Sequence, residues 1–115
     1  MWQDDLDNRL MDILENAKMI NTELFPVVCP YCGERGGHFY LHRWKKEDPR
    51  GSMWVWCSAC RQSAHSRYRL PQWWKNPEKI DPQKLTYYPN YLEENKSYID
   101  EWVNEILFAP YGSIK

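Results

Sequence analysis

The sequence predicts a small α+β fold, with three short antiparallel strands in the middle of the chain and one helix at each end. Three observations lead to this prediction. Apolar residues recur at helical spacing near both ends, and polar and apolar residues alternate over the centre. Two Cys-x-x-Cys motifs enclose that centre. Because 115 residues is the usual size of one domain, we expect a single domain over residues 1–115.

The N-terminal segment, residues 1–26, is predicted to contain an amphipathic helix over about residues 4–20. Asp4 and Asp5 would lie in or before its first turn, where negative charge suits the helix dipole. We interpret the helix as a brace packed on the centre of the fold, with a partner-binding helix as the alternative. Its apolar face consists of Leu6, Leu10, Ile13, Leu14, Ala17 and Ile20.

The central segment, residues 27–70, is predicted to form short strands. Residues 45–52 are expected to be a loop, because Asp48-Pro49-Arg50-Gly51 is typical of turns. The second strand would cover Met53 to Trp56, and residues 64–70 would form the third, with His65, Arg67 and Arg69 on one side. In the first strand, Phe39, Leu41 and Arg43 would face one way, and Tyr40, His42 and Trp44 the other.

The last 45 residues divide into two predicted segments. Residues 71–89 are rich in proline and tryptophan and should be irregular, with single helical turns at Asn76-Pro77 and Asp81-Pro82. Residues 90–115 should contain the C-terminal helix, from about Tyr91 to Phe108, and a tail. Asn90 with Glu93 resembles a capping box at the start of that helix.

The four cysteines form the strongest motif in the chain. Cys29-Pro-Tyr-Cys32 and Cys57-Ser-Ala-Cys60 are separated by 24 residues. Zinc takes four ligands in a tetrahedron, and each Cys-x-x-Cys turn brings two sulfurs within reach of one ion. Gly33 suits the tight turn that follows the first pair. We therefore predict one structural zinc ion bound by Cys29, Cys32, Cys57 and Cys60.

Residues 27–70 resemble the zinc-ribbon superfamily, with Cys-Pro-Tyr-Cys-Gly as the first knuckle and Trp-Cys-Ser-Ala-Cys as the second. The resemblance implies two knuckles that clamp zinc at one end of a small antiparallel sheet, with all four cysteines as ligands. It says little about the partner, because ribbons serve nucleic-acid binding, protein binding and scaffolding. Residues 1–26 and 71–115 show no such resemblance.

Three other interpretations of the cysteines have less support. Cys29-Pro-Tyr-Cys32 is similar to the active-site tetrapeptide of glutaredoxins, but the glycines at 33, 36 and 37 make a poor helix opening. Disulfides would need an oxidising compartment, whereas the chain shows no signal-peptide pattern or membrane-length apolar run, and we expect a cytoplasmic protein. A histidine could replace a cysteine as ligand, but four cysteines already complete the shell. The histidines in question are His38, His42 and His65.

The sequence contains no recognisable catalytic constellation, and zinc with four protein ligands has no open position for water. We therefore expect no enzymatic activity and no small-molecule substrate.

The favoured prediction is a stoichiometric protein-binding protein, of the immunity, inhibitor or adaptor type, since seven Trp and eight Tyr are typical of interface composition. The alternative is a nucleic-acid-binding ribbon, because residues 29–70 carry eight basic and three acidic side chains. The candidate partner-binding residues are Trp44, Trp54, Trp56, Arg67, Arg69, Trp73 and Trp74.

Overall fold

A five-stranded mixed sheet forms the centre of the molecule. The computed structural model describes residues 2–4, 10, 25–70, 72 and 74–108, with the backbone alone at 107–108. The strands lie in the order β1-β5-β4-β3-β2, and β1 is parallel to β5 while the other neighbours are antiparallel. The strands are β1 (Gln3–Asp4), β2 (Val27–Val28), β3 (Arg35–Arg43), β4 (Arg50–Cys57) and β5 (Gln62–Arg69).

The three long strands confirm the predicted antiparallel core, but the sheet is larger than three strands because β1 and β2 extend its edges. β4 also begins earlier than predicted, at Arg50, inside the expected loop. Gly51 explains this difference. It is buried, and a Cβ at this position would overlap the carbonyl oxygen of His42 and the side chain of Leu70. Glycine therefore allows β4 to pair closely with its neighbours from its first residues.

The strand register gives the two faces that the alternation predicted. On one face, Phe39 lies opposite Val55 and Leu41 opposite Met53, and all four side chains are fully buried. The other face carries larger and more polar side chains. Its rows across β3, β4 and β5 are His38–Trp56–Ser63, Tyr40–Trp54–His65 and His42–Ser52–Arg67.

Two consecutive helices follow the sheet, α1 (Asn90–Glu94) and α2 (Lys96–Phe108), where the sequence predicted one. Asn95 separates them, and its side-chain Nδ2 donates to the carbonyl of Tyr91. α2 packs against β3. The Asn104 amide accepts a hydrogen bond from the backbone N–H of Phe25 and donates one to its carbonyl. This pairing joins α2 to the chain just before β2.

The predicted capping box at the start of α1 is wrong. Pro89 occupies the N-cap and makes no side-chain hydrogen bond to the helix. The Oδ1 of Asn90 instead accepts a 2.7 Å hydrogen bond from the indole N–H of Trp2, and the carboxylate of Glu93 binds side chains from other elements. Both polar groups therefore serve tertiary contacts.

The predicted turn at Asp81-Pro82 is confirmed, because Pro82–Lys84 form one 3₁₀ turn and Asp81 accepts from the N–H of Gln83. Of the predicted N-terminal helix, Asp4 lies in β1 and Leu10 is buried, while 5–9 and 11–24 lie outside the described residues. Within the part of the chain that the structure describes, neither the length nor the apolar content of any helix would allow it to cross a bilayer.

Candidate metal centre

The four cysteine sulfurs converge at one end of the sheet, where the structure positions them to bind a metal ion. The Sγ atoms of Cys29 and Cys60 lie 3.8 Å apart, and those of Cys32 and Cys57 lie 3.7 Å apart. All four Sγ atoms lie within 4.8 Å of one another. A regular tetrahedron of sulfurs at ~2.3 Å from a zinc ion has S–S edges of about 3.8 Å. The observed spacing therefore fits one ion held by four thiolates.

The two knuckles, residues 29–33 and 57–61, have the same backbone turn. In the first, the N–H of Gly33 donates to the carbonyl of Cys29, and in the second the N–H of Arg61 donates to the carbonyl of Cys57. Gly33 has a φ of 77° and Arg61 a φ of 65°. The residue after each Cys-x-x-Cys thus has a left-handed conformation, which glycine adopts without strain and arginine does not. The Arg61 guanidinium lies 4.6 Å from the centroid of the Trp2 ring, a cation–π contact that offsets part of that strain.

Backbone N–H groups already point at the sulfurs. Tyr31 donates to the Sγ of Cys29, and Ala59 and Cys60 donate to the Sγ of Cys57. Burial raises the pKa of the Cys57 thiol, and although these backbone hydrogen bonds lower it, burial prevails. A bound cation would overcome this penalty because metal binding favours the thiolate. Cys32 is exposed; desolvation raises the pKa of its thiol, but hydrogen bonds from the Glu34 backbone and the other three cysteines together outweigh it, so the pKa is lowered.

Ser58, between the two ligands of the second knuckle, is the centre of a polar network that the sequence did not predict. Its Oγ lies 2.9 Å from the Nε2 of His38, and the Nδ1 of His38 lies 2.8 Å from the Oδ1 of Asp100. His38 is 3% exposed and stacks on Trp56, so it is neither a metal ligand nor a surface residue. Because Asp100 belongs to α2, the network joins that helix to the second knuckle.

The same hydroxyl also contacts the helices through charged groups. It donates to the Oε1 of Glu93 at 2.7 Å, and the Nζ of Lys96 donates to it at 3.4 Å. Glu93 Oε1 accepts a second hydrogen bond, from the indole N–H of Trp56. The single proton of the hydroxyl is therefore directed to Glu93 and not to the Nε2 of His38. The chain Ser–His–Asp has triad-like distances, but its hydroxyl has a full set of partners and holds the knuckle in place.

The structure separates the candidate partner-binding residues into two groups. Trp54, Trp56 and Trp74 are at most 4% exposed, and each donates its indole N–H to a protein acceptor. These three rings belong to the buried core. Trp44 is 45% exposed, and Arg67 and Arg69 are exposed as well. Trp73 lies outside the described residues.

The exposed candidates lie together at the end of the sheet opposite the cysteines. Arg67 is opposite Ser52 in the β4–β5 register, and the Oγ of Ser52 accepts from the indole N–H of Trp44. Two residues before Arg67 on the same face is His65, whose ring lies 5.2 Å from that of Tyr87, and Tyr87 is 53% exposed. We call this line of exposed side chains the basic stripe; its members are Tyr87, Arg67, Arg69 and Trp44. Tyr87 is not among the residues predicted to bind a partner, because it comes from the irregular segment after β5.

Comparison of the chain with protein families, with curated proteins and with solved structures found no match.

Proposed function

We propose that the protein binds one structural zinc ion through Cys29, Cys32, Cys57 and Cys60, as in a zinc ribbon. The support is the convergence of the four sulfurs: two of their separations, 3.8 and 3.7 Å, match the edge of a thiolate tetrahedron, and all four atoms lie within 4.8 Å of one another. Tetrahedral sites of four thiolates suit zinc or iron among the common metals. Zinc in such a site adds no redox or hydrolytic chemistry. It holds the two knuckles together and thereby the end of the sheet to which both helices are bonded.

We further propose that this scaffold binds single-stranded nucleic acid through the basic stripe. One observation carries the proposal: among the described residues, the cations around the exposed Trp44 ring form no close ion pair. Among the described residues, no carboxylate lies within 4.0 Å of Lys45, Lys46, Arg67 or Arg69. Of the neighbouring charges in the part of the chain that the structure describes, Arg50 pairs with Asp48, which Lys45 also approaches. An anionic partner would supply the missing counter-charges.

The order of side chains along the stripe favours a single strand. Proteins that bind single strands combine cationic side chains along the backbone with aromatic rings on which bases stack. Here Arg67 lies between two exposed rings, Tyr87 beside His65 and Trp44 beside Ser52, and Arg69 follows on the same face of β5. A stripe of this kind on the surface of a sheet is open to unpaired bases, whose faces are hidden in a duplex. These features favour nucleic acid as the partner, which the sequence left as the alternative, over a protein.

We propose that the protein acts by binding alone. The Ser58–His38–Asp100 chain supports this part of the proposal, because the hydroxyl proton is held by Glu93 and the backbone N–H of Ser58 donates to the carbonyl of Gly36. A nucleophilic serine would need its proton directed to the histidine and free N–H groups nearby for an oxyanion.

The test is fluorescence anisotropy of the zinc-loaded protein with labelled single-stranded DNA, single-stranded RNA and duplex DNA. We expect binding of single strands that weakens between about 50 and 200 mM salt, because each phosphate contact releases counterions. Duplex DNA of the same length should bind more weakly. If no oligonucleotide binds at the lower salt concentration, the nucleic-acid proposal fails and a protein partner becomes the better hypothesis.

A further inference from the structure

A cleft of about 990 Å³ opens beside the basic stripe. It lies between the turn that joins β3 to β4 and the segment that follows β5. The volume is at the upper end of the range for small-molecule sites, about 300–1,000 Å³. Six of its lining residues carry the chemistry discussed below: His42, Trp44, Lys45, Lys46, Trp74 and Lys75.

The walls of the cleft are held by hydrogen bonds between the two segments. The side chain of Asn76 accepts from the backbone N–H of Arg43 and donates to its carbonyl. The Arg43 guanidinium donates to the carbonyls of Asp48 and Trp74. The indole N–H of Trp74 is bonded to Asn76. The cleft is thus formed before any ligand arrives, which lowers the entropic cost of binding.

His42, which lines the cleft, carries a buried ring nitrogen without a hydrogen-bond partner among the described residues. The Nδ1 of His42 is buried, and among the described residues it is the only buried side-chain nitrogen or oxygen without a hydrogen bond. Burial also lowers the pKa of His42, so its ring is neutral near pH 7 and carries one N–H. Since an unsatisfied buried nitrogen is destabilising, a ligand that hydrogen-bonds to it would bind more tightly for that reason.

The charge of the cleft is positive. Lys45, Lys46 and Lys75 line it and are exposed, and none has a carboxylate of the described residues within 4.0 Å. Glu47 is the one acid among the described lining residues. A phosphomonoester matches this set, because it carries a charge of about −1.5 to −2 and three acceptor oxygens. The exposed Trp44 ring offers a face for a base attached to that phosphate.

We propose that this cleft is a binding site for a nucleoside monophosphate group, with the phosphate on the lysines and His42 and the base against Trp44. The group can come from a free nucleotide or from the phosphorylated end of a strand that lies on the basic stripe. The second source rests on the nucleic-acid function proposed above, whereas the first does not.

The experiment compares ligands that differ only in the terminal phosphate. Anisotropy competition would use one short oligonucleotide with a 5′-phosphate, with a 3′-phosphate and with hydroxyl ends, together with free adenosine and uridine monophosphates. The variants are Lys75→Ala and His42→Phe, and Lys79→Ala is the matched control, since Lys79 lies over the Tyr98 ring rather than in the cleft. The His42 imidazole signals in NMR spectra report on the site directly, and thermal melting checks that each variant folds.

We expect one phosphorylated end to improve affinity about tenfold, the effect of one charged hydrogen-bonding group. Lys75→Ala and His42→Phe should abolish this difference, and Lys79→Ala should leave it. If oligonucleotides bind equally well with or without a terminal phosphate and nucleotides leave the His42 signals unshifted, the cleft proposal is wrong while the stripe proposal stands. If free nucleotides bind with the same dependence on Lys75 but no oligonucleotide binds, the cleft proposal stands and the proposed function fails. If neither class of ligand binds, both are wrong.

Discussion

The hydroxyl of Ser58 donates a 2.7 Å hydrogen bond to the carboxylate of Glu93, which joins the second cysteine knuckle to α1. Through His38 the same hydroxyl is joined to Asp100 in α2. The cysteine cluster is therefore bonded to the C-terminal part of the chain as well as to the sheet. Loss of the metal should loosen the helices together with the knuckles, and the predictions below depend on this connection.

Replacing Ser58 with alanine should destabilise the fold without loss of metal. The substitution removes one partner each from His38, Glu93 and Lys96, and a buried group left without a partner costs about 1–3 kcal/mol. Ser58 is not a ligand, so the bound metal should stay at the wild-type level. Urea unfolding and metal analysis would measure both quantities. Ser66→Ala, at an exposed position of β5, is the control and should change the stability by less than about 0.5 kcal/mol.

The ionisation of Glu93 should make stability depend on acid pH. Burial raises the pKa of this carboxyl, but hydrogen bonds from Ser58, Lys96 and Trp56 outweigh burial and bring the pKa below its ordinary value of 4.5. Because the folded pKa is the lower one, ionised Glu93 stabilises the fold above about pH 4.5, and this contribution is lost as the pH falls through the folded pKa.

The variant Glu93→Gln isolates this effect. Wild type should be more stable than the variant at pH 6, and the difference should shrink as the pH falls toward about 3. Protonation of the cysteines affects both proteins alike, so it cancels in the comparison. Glu94→Gln, at the neighbouring exposed position, should show no such convergence. A difference between wild type and Glu93→Gln that stays constant over this range would contradict the assignment.

Two glycines should differ sharply in their tolerance of alanine. At Gly51 a Cβ would overlap backbone and side-chain atoms of β3 and Leu70, so Gly51→Ala should cost about 3 kcal/mol or more. At Gly33 nothing lies within 4 Å of the added carbon, and only the φ of 77° is unfavourable. Gly33→Ala should therefore cost about 1–2 kcal/mol. Chemical unfolding of the two variants side by side would test the order, and equal costs would contradict the packing at β4.

Substitutions in the basic stripe should weaken nucleic-acid binding without loss of stability. Trp44→Ala should cost about 1–3 kcal/mol of binding, while Trp44→Phe should retain part of it by keeping a ring for stacking. Arg67→Ala should weaken binding to all sequences alike and reduce the salt slope by about one phosphate contact. Anisotropy titrations at several salt concentrations would measure both effects. If both Trp44→Ala and Arg67→Ala bind nucleic acid with wild-type affinity, the basic stripe is not the binding surface.

The local patterns of the sequence were enough to predict the sheet core and the cysteine cluster. Alternation in β3 and β5 follows from the pleat, and the spacing of two Cys-x-x-Cys motifs is local chemistry. The convergence of Cys29, Cys32, Cys57 and Cys60 could therefore be anticipated from the sequence.

The polar network could not be predicted in this way. Ser58 and Asp100 lie 42 positions apart, and His38 belongs to a third element, so no local pattern links them. For Asn90 and Glu93 a local pattern was present but misleading. Their spacing fits a capping box, but their side chains form hydrogen bonds with Trp2 and Ser58 instead. The burial of Trp54 and Trp56 likewise depends on the helices and on residues 74–89, whose packing on the sheet is not a property of any short window.

The most direct test of the central claim is the metal content of the purified protein, by elemental analysis together with native mass spectrometry. We predict one zinc ion per chain, with the loss of four thiol protons on binding. Cys57→Ser should abolish stoichiometric metal, and removal of zinc by a chelator should unfold the domain, because structural zinc contributes about 10–16 kcal/mol where a domain is stable by about 5–15. Protein that is folded, cooperative in melting and free of metal, with its four thiols intact, would contradict the account.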